Sequence, residues 1–291
     1  MAIWNLGSIN IDQTYRLDSL PKPGETLASR NHSFGLGGKG ANQSVAAAMA
    51  GAVTHHLGAM GTGDDWVLDS LASKGVDTTH IARLPDEATG HAIIMVDRDA
   101  ENAIIIHPGA NRAIDEAALT ETLAGFSDRD ILLIQNETNG QVAAAKAARA
   151  QGARVIYSAA PFDLDAVRDV LPHVSILAMN EGEAAQLFAS LSGDMTVQGL
   201  LITRGSQGAE YHDLTDNQTY EQASFKVTPV DTTGAGDTFA GYFAAGLDAG
   251  LAIPGALRRA SAAAALQVTR EGAGDAIPTS SEVDAFLADQ S

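Results

Sequence analysis

No cysteine occurs in the 291-residue chain, which excludes disulfides, thiolate nucleophiles and cysteine-based zinc or iron–sulfur sites. Basic residues are also scarce. Eighteen Lys and Arg stand against 36 Asp and Glu, a formal charge of −18, so a nucleic-acid backbone is not an expected partner, although a local basic pocket can still hold an anionic substrate. No apolar stretch approaches the roughly 20 residues that span a bilayer. The opening MAIWNLGSINIDQ has neither a charged n-region nor an apolar signal core. The expectation is a soluble, cytoplasmic protein without a membrane partner.

Familiar active-site signatures are missing as well. GLGGKGAN fails as a Walker A loop, because Ser33 stands where the first Gly is required and Gly40 follows the Lys in place of Ser or Thr. There is no G-x-G-x-x-G after the first strand, no G-x-S-x-G elbow and no H-E-x-x-H pair. Dinucleotide oxidoreductases, serine hydrolases and zincins therefore drop out. The eight histidines lack ligand spacing, and the adjacent His55 and His56 point to different faces.

What is present is an alternation of apolar strand-like runs with Ala-rich helical runs, the pattern of an α/β fold, in a length that suits one large domain. A buried first strand is expected over 2–6, with Asn10 and Asp12 projecting from its C-terminal edge, where open α/β sheets bind ligands. A helix is expected from about 42 to 50. Residues 90–107 read as two strands around a polar turn at 97–101. With the segment 26–34, this hairpin makes a small second sheet, a lid or a subunit contact. Further strands are expected at 130–137, 153–161, 174–183 and 198–212, the first three separated by helices, as in a parallel sheet covered on both faces.

Polar residues cluster at successive strand ends: Asn10 and Asp12, then Glu137, Asn180 with Glu183, Thr203 with Gly205 and Gly208, and Asp231 with Asp237. Together they imply one cleft. The stretch VDTTGAGDTFAGYFAAG sets Asp237 behind a Gly-Ala-Gly turn and ahead of a small-residue helix. One reading is a plain helix cap. The other is an anion nest of exposed backbone N–H groups at a positive helix end, beside an acid that accepts a proton. Phosphoryl transfer from a nucleotide to a hydroxyl group is the chemistry left standing, since it requires positioned charge neutralisation and one base.

With these residues assembled, the chain resembles the ribokinase-like family, the phosphofructokinase B-type carbohydrate kinases, over nearly its whole length. The resemblance is carried by GLGGKGANQSVAAAMAG followed by GAMGTGDD, by DTTGAGDTFAGYF, and by GSINID, IIIHPGAN and LLIQNE. It implies a single domain over 1–291: a three-layer fold with a mostly parallel central sheet flanked by helices, plus a small β-sheet lid from about 12–35 and 90–107. It implies ATP-dependent phosphorylation of the primary hydroxyl of D-ribose to D-ribose 5-phosphate. Alternatives are the same chemistry on fructose, another sugar or a nucleoside, or a catalytically idle sugar-binding protein.

By the same resemblance Asp237 is the base, and the amides of Gly234, Ala235 and Gly236 form the anion hole. Asn10, Asp12, Gly38, Lys39, Asn42 and Glu137 hold the sugar. Asn180 and Glu183 organise Mg²⁺-bound phosphates through water. Thr203, Arg204, Gly205, Ser206 and Gly208, with Gly236 and Ser261, hold the nucleotide. Asp231 and Thr233, with backbone from Gln267, Arg270 and Gly272, form a site for K⁺ or another monovalent cation, and a homodimer pairs through the lid sheets. Three departures stand out. Ala276 replaces a frequent hydroxyl ligand of that cation, residues 187–200 are too few for the usual helix and lead-in strand, and Arg204 follows Thr203 where a small or apolar residue is common.

Overall fold

The computed structural model of the chain describes residues 1–99, 101–190 and 195–290. Residue 100 of the expected hairpin turn and residues 191–194 of the shortened stretch lie outside the described residues.

The chain opens with β1 (Ile3–Leu6), then β2 (Asn10–Arg16), β3 (Asn31–Gly37) and helix α1 (Lys39–Met49). Next come β4 (Thr54–Gly61), α2 (Asp65–Ser73), β5 (Val76–Asp77), β6 (Ile81–Leu84) and the pair β7 (Gly90–Val96) and β8 (Asn102–His107). A run of alternating units follows: α3 (Glu116–Leu123), β9 (Ile131–Ile134), α4 (Gln141–Ala150), β10 (Arg154–Ser158), α5 (Leu164–Val170), β11 (Ile176–Asn180) and α6 (Glu181–Ser190). The chain continues through β12 (Gly199–Thr203), β13 (Ala209–Asp213), β14 (Gln218–Gln222), α7 (Ala235–Asp248), α8 (Ile253–Gln267) and α9 (Ser280–Asp289).

The central sheet runs β14-β13-β12-β11-β10-β9-β1-β4-β5, with β6 also paired to β4. It is parallel from β12 across to β5 and antiparallel only at β12/β13 and β13/β14. Strands such as β9, whose sequence ILLI is buried throughout, carry apolar side chains on both faces, because helices cover both. One buried cluster joins α1, α7 and α8 to the sheet, and the other joins α3, α4 and α5 to its opposite face.

Small residues set how closely the helices approach. A Cβ on Gly241 of α7 would lie 2.5 Å from the Ala46 Cβ of α1, and one on Gly40 would lie 2.3 Å from the Cα of Gly7. The N-terminus of α1 is thereby pressed against both the end of β1 and the flank of α7.

Two expectations need correction. Asn10 and Asp12 do not extend the first strand: the chain leaves the central sheet after Leu6, and they begin β2, in a second sheet ordered β3-β2-β7-β8. In it β2 runs antiparallel to β3 and parallel to β7, and β7 with β8 forms the expected hairpin. The run 198–212 is two antiparallel strands, because Gly205 and Gly208 take positive φ and turn the chain between them. Strand β4, for which the sequence raised no expectation, pairs with β1.

Candidate active site

Helix α7 starts from Gly234, whose φ of 76° is left-handed and favours glycine. The Ala235 amide donates to Thr232 O at 3.3 Å, in the turn that leads into the helix. The amides of Gly236 and Asp237 have no hydrogen bond among the described residues, Gly236 lines the cleft, and the Thr238 amide donates to Gly234 O at 2.8 Å.

Asp237 lies one residue further on and is only 9 % exposed. Its Oδ2 accepts from Asn42 Nδ2 and its Oδ1 from Gln43 Nε2, each at 3.1 Å. Burial raises its pKa above the usual carboxylate range, against Lys39 and these two amides, which favour the charged form. A simple helix cap would be turned toward its own helix. This carboxylate is instead clamped by α1.

The other sugar-side residues gather around it. Gly38, at φ 91°, leaves room that a Cβ would not, since such a carbon would lie 2.9 Å from Asn10 N and Ser8 O. Glu137 Oε2 accepts from Ser8 Oγ, and from the Lys39 amide at 3.1 Å, while its other oxygen has no hydrogen bond among the described residues. Asp12 fills the space beside Gly37, and burial with the nearby Glu137 charge pushes it up to about 6. Burial by itself lowers the Lys39 ammonium, yet the carboxylates of Asp237, Glu137 and Glu183 outweigh that and leave it raised. Asn42 Oδ1 is buried without a hydrogen-bond partner among the described residues.

Sequence reasoning missed the layer behind these residues. Asn111, within the quoted IIIHPGAN, donates to Asn10 Oδ1 at 2.9 Å and exchanges hydrogen bonds with the Ile9 backbone, which fixes the start of β2. Behind Asp237 runs a buried polar chain: Gln43 accepts from Gln135, whose Nε2 also donates to Asn5 Oδ1, and Asn5 donates to Ser44. The chain ends at His56, whose Nε2 faces Gly7 O while Nδ1 accepts from Ser44 Oγ at 2.8 Å. Burial pushes His56 down to about 4, so it stays neutral and the chain adds no charge beside Asp237.

On the other side of the α7 start lies a cavity of about 470 Å³, lined by Thr203, Gly205, Ser206, Gly208, Gly236 and Ser261, all expected for the nucleotide. Its walls also include Phe225, Val227, Phe239, Ala264 and Val268, apolar residues suited to a planar base that the motifs did not single out. Ser261 Oγ is buried and unpartnered in this cavity. Arg204 does not line it: its guanidinium turns to Glu210 of β13, at 3.1 Å.

Asn180 and Glu183 are brought together as a reciprocal helix cap, each backbone N–H donating to the other's side chain, at 2.8 and 2.9 Å. Glu183 Oε1 is left free of hydrogen bonds among the described residues. Burial raises Glu183, against the Asn180 amide and Lys39. No group of three or more potential side-chain ligands for a metal is found among the described residues.

The expected monovalent-cation region is assembled differently. Both Asp231 oxygens accept backbone N–H groups, from Thr233 at 2.9 Å and Gly272 at 3.0 Å. Burial raises this acid, but those bonds and nearby Arg16 prevail and hold it below the usual range. Gln267 O is used by Arg270 N within the chain turn, and the Arg270 side chain pairs with Glu282 at 2.6 Å. The Gln267 side chain, which the sequence reading left out, is fully buried, and the two hydrogens on its Nε2 are shared among Thr233 O, Gly272 O and Ala273 O.

The profile of the pfkB family carbohydrate kinases matches residues 3–280. The chain is 35% identical to a ribokinase of Haemophilus influenzae over 299 residues, covering 97% of each, and 35% identical to one of Bacillus subtilis over 292 residues, covering 97% of this chain and 98% of that one. Its fold superposes on the Arabidopsis thaliana ribokinase complexed with ribose and ATP with a TM-score of 0.88, at 29% identity and 98% coverage of both chains. With Asp237 clamped between a sugar-side cluster and a nucleotide-sized cavity, the chain belongs to the pfkB family of carbohydrate kinases.

Proposed function

We propose that this chain is an ATP-dependent kinase of D-ribose, producing D-ribose 5-phosphate. The observation that carries this reading is the adjacency of Gly236 and Asp237. The first lines the nucleotide cavity, and the second is bonded to Asn42 among the sugar-side residues, so the two half-sites meet at one peptide.

In this reading the ribose hydroxyls are held by Asn10, Asp12, Lys39, Asn42 and Glu137, with Gly38 allowing the backbone close to the ring. Asp237 accepts the proton of the primary hydroxyl as that oxygen bonds to the γ-phosphorus and the bond to ADP breaks. With an unperturbed Asp near 3.9, far below an alcohol, the proton moves as the transition state forms rather than before it. Amides at the start of α7 receive the charge of the transferring group, and Lys39 lies near enough to the three carboxylates to stay cationic beside it.

Mg²⁺ supplies charge neutralisation on the phosphates when bound, and Glu183 with its free Oε1, braced by Asn180, would hold it through water. The second sheet covers the sugar as a lid within a single domain. The same sheet exposes Phe34, Ile104, Ile105 and Ile106, each more than half accessible, which supports a homodimer formed lid to lid. A cytoplasmic location, where ATP is available as donor, is part of this reading.

The test is ADP release from Mg-ATP with ribose, deoxyribose, fructose, other pentoses and nucleosides. Ribose is expected to give the highest kcat/KM. Turnover confined to a nucleoside or a hexose would reassign the acceptor, and sugar binding without any turnover would make this a binding protein.

A further inference from the structure

The family resemblance expects a monovalent cation beside the anion hole, held by Asp231 and Thr233 with backbone from Gln267, Arg270 and Gly272, and this chain does not leave the carbonyls of Thr233 and Gly272 free. Gln267 Nε2 lies 3.2 Å from Thr233 O, 3.1 Å from Gly272 O and 2.9 Å from Ala273 O. Three carbonyl oxygens around one atom fix which end of the amide sits there: the NH₂ end donates, since a carbonyl in its place would face three acceptors. The other end, Oε1, accepts from Thr238 Oγ1 at 3.3 Å.

Gln267 is fully buried, so a cation entering this cradle would have to expel the amide and leave it without partners. Among the remaining expected ligands, Gln267 O accepts from Arg270 N. Both Asp231 oxygens accept backbone N–H groups, and position 276 is an alanine whose side chain has no oxygen to offer.

We propose that the Gln267 side-chain amide is a built-in substitute for the monovalent cation, so that this kinase works without K⁺. The geometry gives the amide the job such an ion would have. It ties the end of α8 to Thr233, just before the turn of residues 234–236, to the segment 272–273, and through Thr238 to the first turn of α7 that carries Asp237. An NH₂ group presents only partial positive charge, but it is covalently anchored and pays no concentration-dependent binding step. Gln267 is thus a positioning residue: it holds the loop and makes no contact with the reacting atoms.

The inference rests on residues 231–237 being the transfer site of the proposed kinase, so its test carries a readout independent of turnover. Wild-type protein is assayed in KCl and in tetramethylammonium chloride at equal ionic strength, and its melting temperature is measured in both salts. The expected result is rates within about twofold and no K⁺-specific shift in melting, because a ligand that does not bind the native state does not stabilise it. Gln267→Ala vacates the cradle and Gln267→Met keeps the volume without the donors. In tetramethylammonium each is expected to lose on the order of 10²-fold in kcat, the scale of a misplaced catalytic group, and K⁺ is expected to restore much of it to Gln267→Ala only. Strong K⁺ activation of the wild type, or K⁺-specific stabilisation of it, overturns the proposal. So does full, K⁺-independent activity of both variants. Should Gln267→Ala fail to fold, the wild-type salt comparison and Gln267→Met still decide. A wild type with no turnover on any acceptor refutes the kinase reading instead, and the melting comparison then reports on the cradle alone.

Discussion

Asp237 is the residue whose role depends most on neighbours far away in sequence. Its charge is disfavoured by burial and favoured by Asn42, Gln43 and Lys39. Replacing Gln43 by Met removes one of those donors and also takes from Gln135 Nε2 one of its two acceptors, so a stability loss of about 1–3 kcal/mol is expected. The acid limb of the kcat profile should move to higher pH, since the charged carboxylate has lost support; pH–rate curves of the two proteins check this.

Asp12 gives a second residue-level prediction. Its pKa is raised to about 6 in the fold against an ordinary 3.8, so between these values the folded state holds a proton that the unfolded state has released. Stability from this group therefore falls as pH rises through that window. Asp12→Asn should be more stable than wild type by up to about 3 kcal/mol above pH 6, with the difference vanishing toward pH 4, while its KM for ribose rises. Urea unfolding of both proteins across pH 4–8 measures the gap; a difference that does not change with pH would contradict the burial of this carboxylate. Asp237 and Glu137 were legible from the sequence because each sits in a compact motif. Gln43, Gln135, Asn5 and Asn111 were not, since each looks like an ordinary polar residue until folding places it against its partner.

At the scale of elements, the closeness of α1 and α7 brings Gln43 and Asn42 to Asp237. Gly241→Ala puts a carbon 2.5 Å from Ala46 Cβ and 2.6 Å from Gln43 O, both on a rigid helix. Overpacking of this kind costs about 1–3 kcal/mol, and here kcat should fall as well. Gly255→Ala in α8 meets only Leu251 Cβ at 3.7 Å and should be neutral or stabilising by about 0.4–1 kcal/mol with unchanged kcat. Melting curves and rates of the pair separate close packing from a general effect of added methyls.

The elements themselves were read unevenly. Buried parallel strands such as β9 and β11 announced themselves as short apolar runs, and the β7–β8 hairpin by its polar turn. Local pattern does not say which sheet a segment joins, so Asn10 and Asp12 read as a polar segment at the edge of β1, although they begin a strand of the second sheet only three residues, Gly7, Ser8 and Ile9, beyond it. The split of β12 from β13 hid in TRGSQG, whose glycines read as part of a nucleotide loop although their positive φ also turns the chain.

For the molecule as a whole, the second sheet is the least covered part. Ile104, Ile105 and Ile106 alternate along β8 and are all exposed, so both faces of this edge strand lack cover. If two lids pair, Ile105→Lys together with Phe34→Lys should give a monomer, and KM for ribose should rise while the fold persists. Light scattering and circular dichroism check it; a wild type that is monomeric at working concentration would remove the dimer.

The central claim is that one buried carboxylate between two half-sites takes the proton in transfer to ribose. The most direct measurement is single-turnover phosphorylation of ribose by Mg-ATP, comparing wild type with Asp237→Asn at saturating concentrations of both substrates, with ribose affinity measured separately. A loss of about 10² to 10⁴ in the transfer rate with ribose still bound is the predicted result. A variant that transfers phosphate at nearly the wild-type rate would contradict it.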